Sequence, residues 1–199
     1  MDQPTIGNAV PKRGNRFWQW IAGSLLSAFG WVVEAEVPNE SKIVLIGAPH
    51  TSNWDFLVAM GAIFSLDINM FWMGKHTMFR WPFKGIIKWL GGLPIDRSAS
   101  SGVVDQMIEA FNERDELVIG LAPEGTRKGV AKWKTGFYHI AHGAKVPIVM
   151  VQFDYGRKAV VVGPTLIPSG DIRADMAKIR SVFSSVEGKY RQPTGEEME

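Results

Sequence analysis

Three apolar runs without alternation constrain this chain most: Lys42-Ile-Val-Leu-Ile-Gly-Ala48, Glu116-Leu-Val-Ile-Gly-Leu-Ala122 and Pro147-Ile-Val-Met-Val-Gln-Phe153. A strand with one face in water alternates polar and apolar residues; a strand covered on both faces does not. Between the runs lie stretches with helical periodicity. Asn53–Ser65 reads as a helix capped by Ser52 or Asn53, and Ser101–Glu113 places Val103, Val104, Met107, Ile108 and Phe111 on one face. Thr77–Arg80, Pro82–Leu90, opened by Pro82, Thr135–His142, stopped by Gly143, and Asp171–Val186 complete the helices. Shorter strands are expected at Trp31–Val37, Asn69–Met73, Leu93–Ile95 and Ala159–Val162. The fold class is α/β: a single domain with a mostly parallel central sheet flanked by helices. With 199 residues the chain is long enough for one substantial core. The organisation read from it is an amino-terminal apolar segment with a lead-in strand over 1–37, a main domain over 38–190, and an acidic, solvated tail over 191–199.

In such sheets ligands gather at the carboxyl ends of the strands. Two polar motifs begin there. His50-Thr-Ser-Asn-Trp-Asp55 follows the first run and Pro123-Glu-Gly-Thr-Arg127 the second. Residues five apart on a regular helix are separated by about 140°, so His50 and Asp55 cannot meet on one helix face. They can meet if His50 sits in the turn and Asp55 in the first helical turn. A histidine oriented by a carboxylate is a general base. The same residues also fit a loop histidine beside a first-turn dipole carboxylate. Glu124-Gly-Thr-Arg127 offers a guanidinium fork, a hydroxyl and a glycine for close backbone approach, which suits a phosphate monoester. It also fits a charged turn closed by its own Glu–Arg pair. Gly91-Gly-Leu-Pro-Ile-Asp-Arg97 repeats the theme more weakly.

Composition narrows the surroundings. Eight Trp and eleven Phe exceed what a soluble core of this size needs and suit a membrane interface or an apolar ligand groove. The absence of cysteine excludes a disulfide framework and a thiolate nucleophile. The net charge of +2 conceals a basic middle, with Lys75, Arg80, Lys84, Lys88 and Arg97 in one stretch and Arg127, Lys128, Lys132 and Lys134 in another. Phe17–Val33 carries no charge, is about seventeen residues long and has Trp18, Trp20 and Trp31 towards its ends. It fits an interfacial helix, a helix packed on the domain, or a short span. His139 and His142 stand at helical spacing for a shared metal, but no further ligand cluster accompanies them, and no metal is expected. No dinucleotide, Walker, nucleophile-elbow or nucleic-acid signature is present, and nucleic acid is not expected as a partner.

Taken in order, His-x4-Asp, Gly-x-x-x-Asp-Arg, Pro-Glu-Gly-Thr-Arg and Val146-Pro-Ile-Val149 resemble the four sequence blocks of the glycerolipid (lysophospholipid) acyltransferases, a family that includes the 1-acylglycerol-3-phosphate acyltransferases. The resemblance covers roughly Trp31 to Pro164. It implies that His50 is the catalytic base and Asp55 its orienting acid. It implies acceptor-binding positions at Arg97, Glu124, Gly125, Thr126 and Arg127, with Lys75 where members often carry a lysine. Pro147 falls in the block associated with the acyl-donor side. The chain departs at Pro49, where asparagine is usual, at Leu93-Pro-Ile95, and at Ala122 before Pro123. The resemblance implies acyl transfer from acyl-CoA or acyl-carrier protein, as co-substrate and with no cofactor, to a lysophospholipid hydroxyl, lysophosphatidate foremost. Another hydroxyl or amine acceptor, or a non-catalytic lipid-binding module, are the alternatives. It further implies an amino-terminal membrane-associating helix and a peripheral or monotopic place on the cytoplasmic face of the inner membrane.

Overall fold

The computed structural model describes residues 4–75, 79–95, 102–125 and 133–190. In chain order the elements are β1 (Thr5–Ile6), α1 (Arg16–Ala28), β2 (Val32–Val37), β3 (Lys42–Ala48), α2 (Trp54–Ser65), β4 (Met70–Lys75), α3 (Lys84–Trp89), β5 (Gly92–Ile95), α4 (Val103–Glu113), β6 (Leu117–Leu121), α5 (Gly136–Ala144), β7 (Ile148–Asp154), β8 (Ala159–Leu166) and α6 (Ile172–Phe183). Among the described residues one sheet forms, in the order β1-β2-β8-β7-β3-β6-β4-β5. β7, β3, β6, β4 and β5 are mutually parallel; β8 runs antiparallel to β7, and β2 and β1 follow β8. The three unalternating runs are the three central strands, as double-sided burial requires.

Each face of the sheet carries its own core. Ile43 and Leu45 point to one side, with Val58, Ile63 and Phe64 of α2 and Leu26 of α1. Val44 and Ile46 point to the other, with Phe111 of α4, Phe137 and Ile140 of α5 and Ile179 of α6. Burying an Ile or Phe of this kind contributes about 1.5–3 kcal/mol, so alternate residues of a single strand hold two helix layers. The connection from β3 through α2 to β4 passes over one face; that from β6 through α5 to β7 passes over the other and leads the opposite way across the sheet. The adjacent strands β3 and β6 therefore flank a topological switch point, where a crevice opens at their carboxyl ends.

The amino-terminal segment is a helix of 13 residues, about 20 Å long. Asn15 caps it, accepting from Trp18 N at 3.2 Å. Gly30, at φ 76°, ends it, with Trp31 N returning to Leu26 O at 2.8 Å. The uncharged stretch then continues as β2, inside the sheet. No described helix is long and apolar enough to cross a membrane, so the short-span reading of 17–33 does not hold. α1 packs along α2, where Leu26 lies against Gly61.

A second correction concerns α5. Gly143 does not stop the helix but lies within it; a Cβ there would meet Ile108 Cδ1 of α4 at 2.5 Å. The helix ends at Lys145, in the left-handed region at φ 55°. The glycine thus serves helix–helix approach rather than termination. β8 extends to Leu166, and α6 closes at Phe183, three residues before the expected end. The acidic tail, 191–199, lies outside the described residues, as do the first two residues of the helix expected at Thr77–Arg80; its last two, Phe79 and Arg80, are not helical.

Candidate active site

At the carboxyl end of β3 the chain passes through Pro49, His50, Thr51 and Ser52 before α2 begins at Trp54. His50 sits in this turn and Asp55 in the first turn of α2, with His50 Nδ1 and Asp55 Oδ2 3.2 Å apart. The helix start resembles a capping box. Ser52 Oγ accepts from Trp54 N at 3.0 Å, and Asp55 Oδ2 reaches back to accept from Ser52 N and Thr51 N, both at 2.7 Å. Of the two caps considered from sequence, Ser52 supplies the side-chain bond and Asn53 none to the helix end. One carboxylate therefore caps its own helix and holds the imidazole.

Asp55 is fully buried. Burial alone would push its carboxyl up. The bonds from His50, Tyr155, Ser52 and Thr51 outweigh that and hold it below the usual carboxylate range. The fourth donor is Tyr155, at the end of β7, whose hydroxyl donates to Asp55 Oδ1 at 2.7 Å. Burial and the neighbouring carboxylate push the Tyr155 phenol well above its ordinary value, so it remains a donor. Its ring packs edge-on against Trp31 at 4.9 Å between centroids.

Glu124 follows β6, across the switch point from His50. It is 2% exposed, and its Oε1 accepts from His50 N at 2.9 Å. The third motif thus grips the backbone of the first. Gly125 has φ 66°, a left-handed conformation that favours glycine, and the end of the Lys134 side chain packs over it. Next to the pair opens a cleft of about 530 Å³, lined in part by Pro49, Glu124, Trp133, Phe183, Val186 and Tyr190. Its lining is mixed, with Trp133, Phe183 and Val186 apolar and Glu124, Ser184 and Glu187 polar.

The segment after α6 runs over the His50 loop. Glu187 O accepts from Tyr155 N at 2.8 Å, Tyr190 N donates to Thr51 Oγ1 at 3.3 Å, and Lys189 Nζ sits 4.6 Å above the Trp54 ring. At Gly188 a Cβ would strike Thr51 Cγ2 at 2.8 Å and Pro49 Cγ at 3.1 Å. Residues 187–190 form a strap against the loop.

The structure brings His50, Asp55, Glu124 and Gly125 together at the crevice. Lys75 ends β4 at the same edge of the sheet. Arg97, Thr126 and Arg127 lie outside the described residues. Sequence reading missed Tyr155 and the strap. Tyr155 had one available signal, namely its place directly after a parallel strand, where His50 and Glu124 also follow theirs. Among the described residues no cluster of His, Asp and Glu could hold a metal ion; His142 stacks on Tyr138 instead.

A family model described as Acyltransferase matches residues 14–154. The chain is 32% identical over 140 residues to a 1-acyl-sn-glycerol-3-phosphate acyltransferase of Haemophilus influenzae, covering 65% of this chain and 56% of that protein. It is 32% identical over 139 residues to the protein of that name in Escherichia coli, covering 65% and 55%. The chain thus spans just over half the length of these relatives. Its fold is similar to the crystal structure of the 1-acyl-sn-glycerophosphate acyltransferase PlsC from Thermotoga maritima, with a TM-score of 0.61, 16% identity, and coverage of 87% of this chain and 81% of that one.

Proposed function

The chain belongs to the acyltransferase family, and we propose that it transfers a fatty acyl group from an acyl thioester to the hydroxyl of a lysophospholipid, 1-acylglycerol-3-phosphate foremost. The observation that carries this reading is the pairing of His50 Nδ1 with the buried Asp55 at the switch-point crevice. With Nδ1–H donating to Asp55, Nε2 is left as the acceptor. It takes the proton of the acceptor hydroxyl as that oxygen attacks the thioester carbonyl carbon. The tetrahedral intermediate collapses, the C–S bond breaks, and the departing thiolate takes the proton back from the imidazolium. Asp55 stays ionised throughout and offsets the imidazolium charge. The adjoining cleft, lined by both apolar and polar side chains, suits a reactant that joins an acyl chain to a polar head.

Arg127 and Arg97 are assigned to the acceptor phosphate by their places in the family blocks, and Thr126 and Lys75 to the same neighbourhood. The donor is acyl-CoA or acyl-carrier protein. The acceptor class puts the chain to work as a peripheral protein at a bilayer surface, with the amino-terminal helix against the lipid.

The test offers purified protein a mixture of lysolipids with labelled acyl-CoA or acyl-carrier-protein thioester, and identifies the products by mass spectrometry. We expect phosphatidate from lysophosphatidate, and a loss of roughly 10²–10⁴-fold in kcat for His50→Ala with the fold retained by circular dichroism. Turnover at the wild-type rate in that variant sinks the mechanism. Preferred acylation of a different lysolipid replaces the acceptor, and no product from any pair defeats the acyl-transfer reading.

A further inference from the structure

The two faces of the sheet are covered by helices of opposite surface character. Among the described residues, α4, α5 and α6 expose no large apolar side chain. The other face exposes Phe17, Trp20 and Leu25 on α1, and Trp81, Phe83 and Ile86 on α3 and the turn leading into it. Trp81 is 91% exposed, the most of any large apolar residue described. A soluble monomer does not scatter aromatics with this bias.

The charges differ as well. Arg16 opens α1, and Arg80, Lys84 and Lys88 lie in and before α3. The only acid within α1, α2 or α3 is Asp55, which is fully buried. On the far face the signs are mixed: α4 carries Asp105, Glu109 and Glu113, and α6 carries Arg173, Lys178 and Arg180. The α1 and α3 elements are joined into one surface. Trp18 and Trp89 meet edge-on at 5.1 Å, Trp89 also contacts Phe64 of α2 at 5.3 Å, and Arg13 Nη2 donates to Trp89 O at 2.7 Å.

We propose that α3 and its lead-in turn, with Trp81, Phe83, Lys84 and Lys88, form a second lipid anchor beside α1, so that the chain docks on an anionic phospholipid bilayer through two points of one rigid face. The proposal deepens the bilayer-surface reading given above and rests on it for its purpose. Exposed tryptophan and phenylalanine ringed by lysine match the headgroup level of a bilayer, where aromatic rings settle and cations meet lipid phosphate. A second copy of the chain fits poorly, because pairing this face with itself would set its cations against each other with no exposed acid in α1, α2 or α3 to answer them, Asp67 after α2 already facing Arg13 and Asn15. Two anchors also fix the tilt of the domain relative to the bilayer plane, which one helix, free to roll about its own axis, cannot do. Trp54, exposed at the first residue of α2 directly after the His50 loop, places the reacting edge beside the lipid that the face touches.

The experiment measures partition of the purified chain onto vesicles of phosphatidylcholine alone and of phosphatidylcholine with phosphatidylglycerol, alongside turnover of a detergent-dispersed acceptor. W81A/F83A should weaken vesicle partition by roughly tenfold, and K84E/K88E should lose the preference for phosphatidylglycerol by roughly fivefold per lysine. Both should keep wild-type circular dichroism and detergent-dispersed turnover, since every changed side chain is exposed. Partition equal to wild type in W81A/F83A overturns the proposal. A wild-type dimer in solution that W81A/F83A dissolves also overturns it, in favour of self-association. If the wild type turns over no acceptor yet the variants lose vesicle binding, the two-point anchor stands and the acyl-transfer reading falls.

Discussion

Tyr155 donates its hydroxyl to the Oδ1 of Asp55 across 2.7 Å, from a position 100 residues further along the chain. The carboxylate thereby has both oxygens occupied, Oδ2 by His50, Thr51 and Ser52 and Oδ1 by Tyr155. It cannot swing to release the imidazole without abandoning a donor in the protein interior.

Tyr155→Phe removes that donor and little else. A buried carboxylate oxygen left without a partner costs about 1–3 kcal/mol. Asp55 lies below its ordinary value, so the stability it contributes is present above the unfolded carboxylate value and is lost as pH falls through the folded one. Without Tyr155 the folded value rises towards the unfolded one, and acid unfolding begins at higher pH. Urea titrations from about pH 2 to pH 6 should show the shift. In assays kcat should fall while the acceptor KM holds, because positioning of the base is lost and acceptor contacts are not. A wild-type acid profile in the variant contradicts the role.

Glu124 anchors the His50 loop through its side-chain oxygen, and the anchor can be separated from the charge. Glu124→Gln keeps an oxygen able to accept from His50 N; Glu124→Ala leaves that half-buried N–H without it. The alanine variant should lose about 1–3 kcal/mol of stability, with a larger fall in kcat than the glutamine variant. Equal stabilities for the two variants, measured by denaturant melts, would count against loop anchoring.

Gly188→Ala and Gly23→Ala should move in opposite directions. At 188 the new Cβ meets Thr51 and Pro49, so the strap or the loop must shift, and activity should fall further than the melting temperature. At 23, in the interior of α1, its nearest neighbour is Ser65 Cβ at 3.9 Å, ordinary contact. There alanine should stabilise by roughly 0.5–1 kcal/mol. Paired melting curves and initial rates decide both.

Asp175 is buried at the start of α6 and accepts from Ser169 N at 2.7 Å, Ser169 Oγ at 2.8 Å and Tyr138 OH at 3.0 Å. Burial opposes its charge, but these bonds and nearby Lys178 prevail and hold its carboxyl below the usual range. Asp175→Ala should cost about 2–3 kcal/mol at neutral pH, with the difference from wild type shrinking as acid protonates the native carboxyl. Specific activity of the folded fraction should be unchanged, since the network lies between α5 and α6.

The fold was legible where a residue's neighbours in sequence decide its burial. Ile43 to Ile46 read as a covered strand because no polar residue interrupts them, and they are one. The turn-to-helix placement of His50 and Asp55 followed from helical geometry alone. Gly143 misled because a glycine near a helix end and a glycine under a neighbouring helix look alike until Ile108 is placed against it. Tyr155 and the strap were hidden for another reason. Their partners, Asp55 and Thr51, are chosen by strand order and by the path after α6, and no local pattern in Phe153-Asp-Tyr155 or Glu187-Gly-Lys-Tyr190 encodes either.

The strap also sets a schedule. The loop bearing His50 leaves the ribosome well before the strap, since Tyr190 bonds to Thr51 across a separation of 139 residues. At ordinary elongation rates that is a wait of roughly 7 to 28 seconds. A nascent chain halted before residue 187 would already carry every family block while its base loop still lacked its cover. The His50 loop therefore waits for a cover made well after the loop itself.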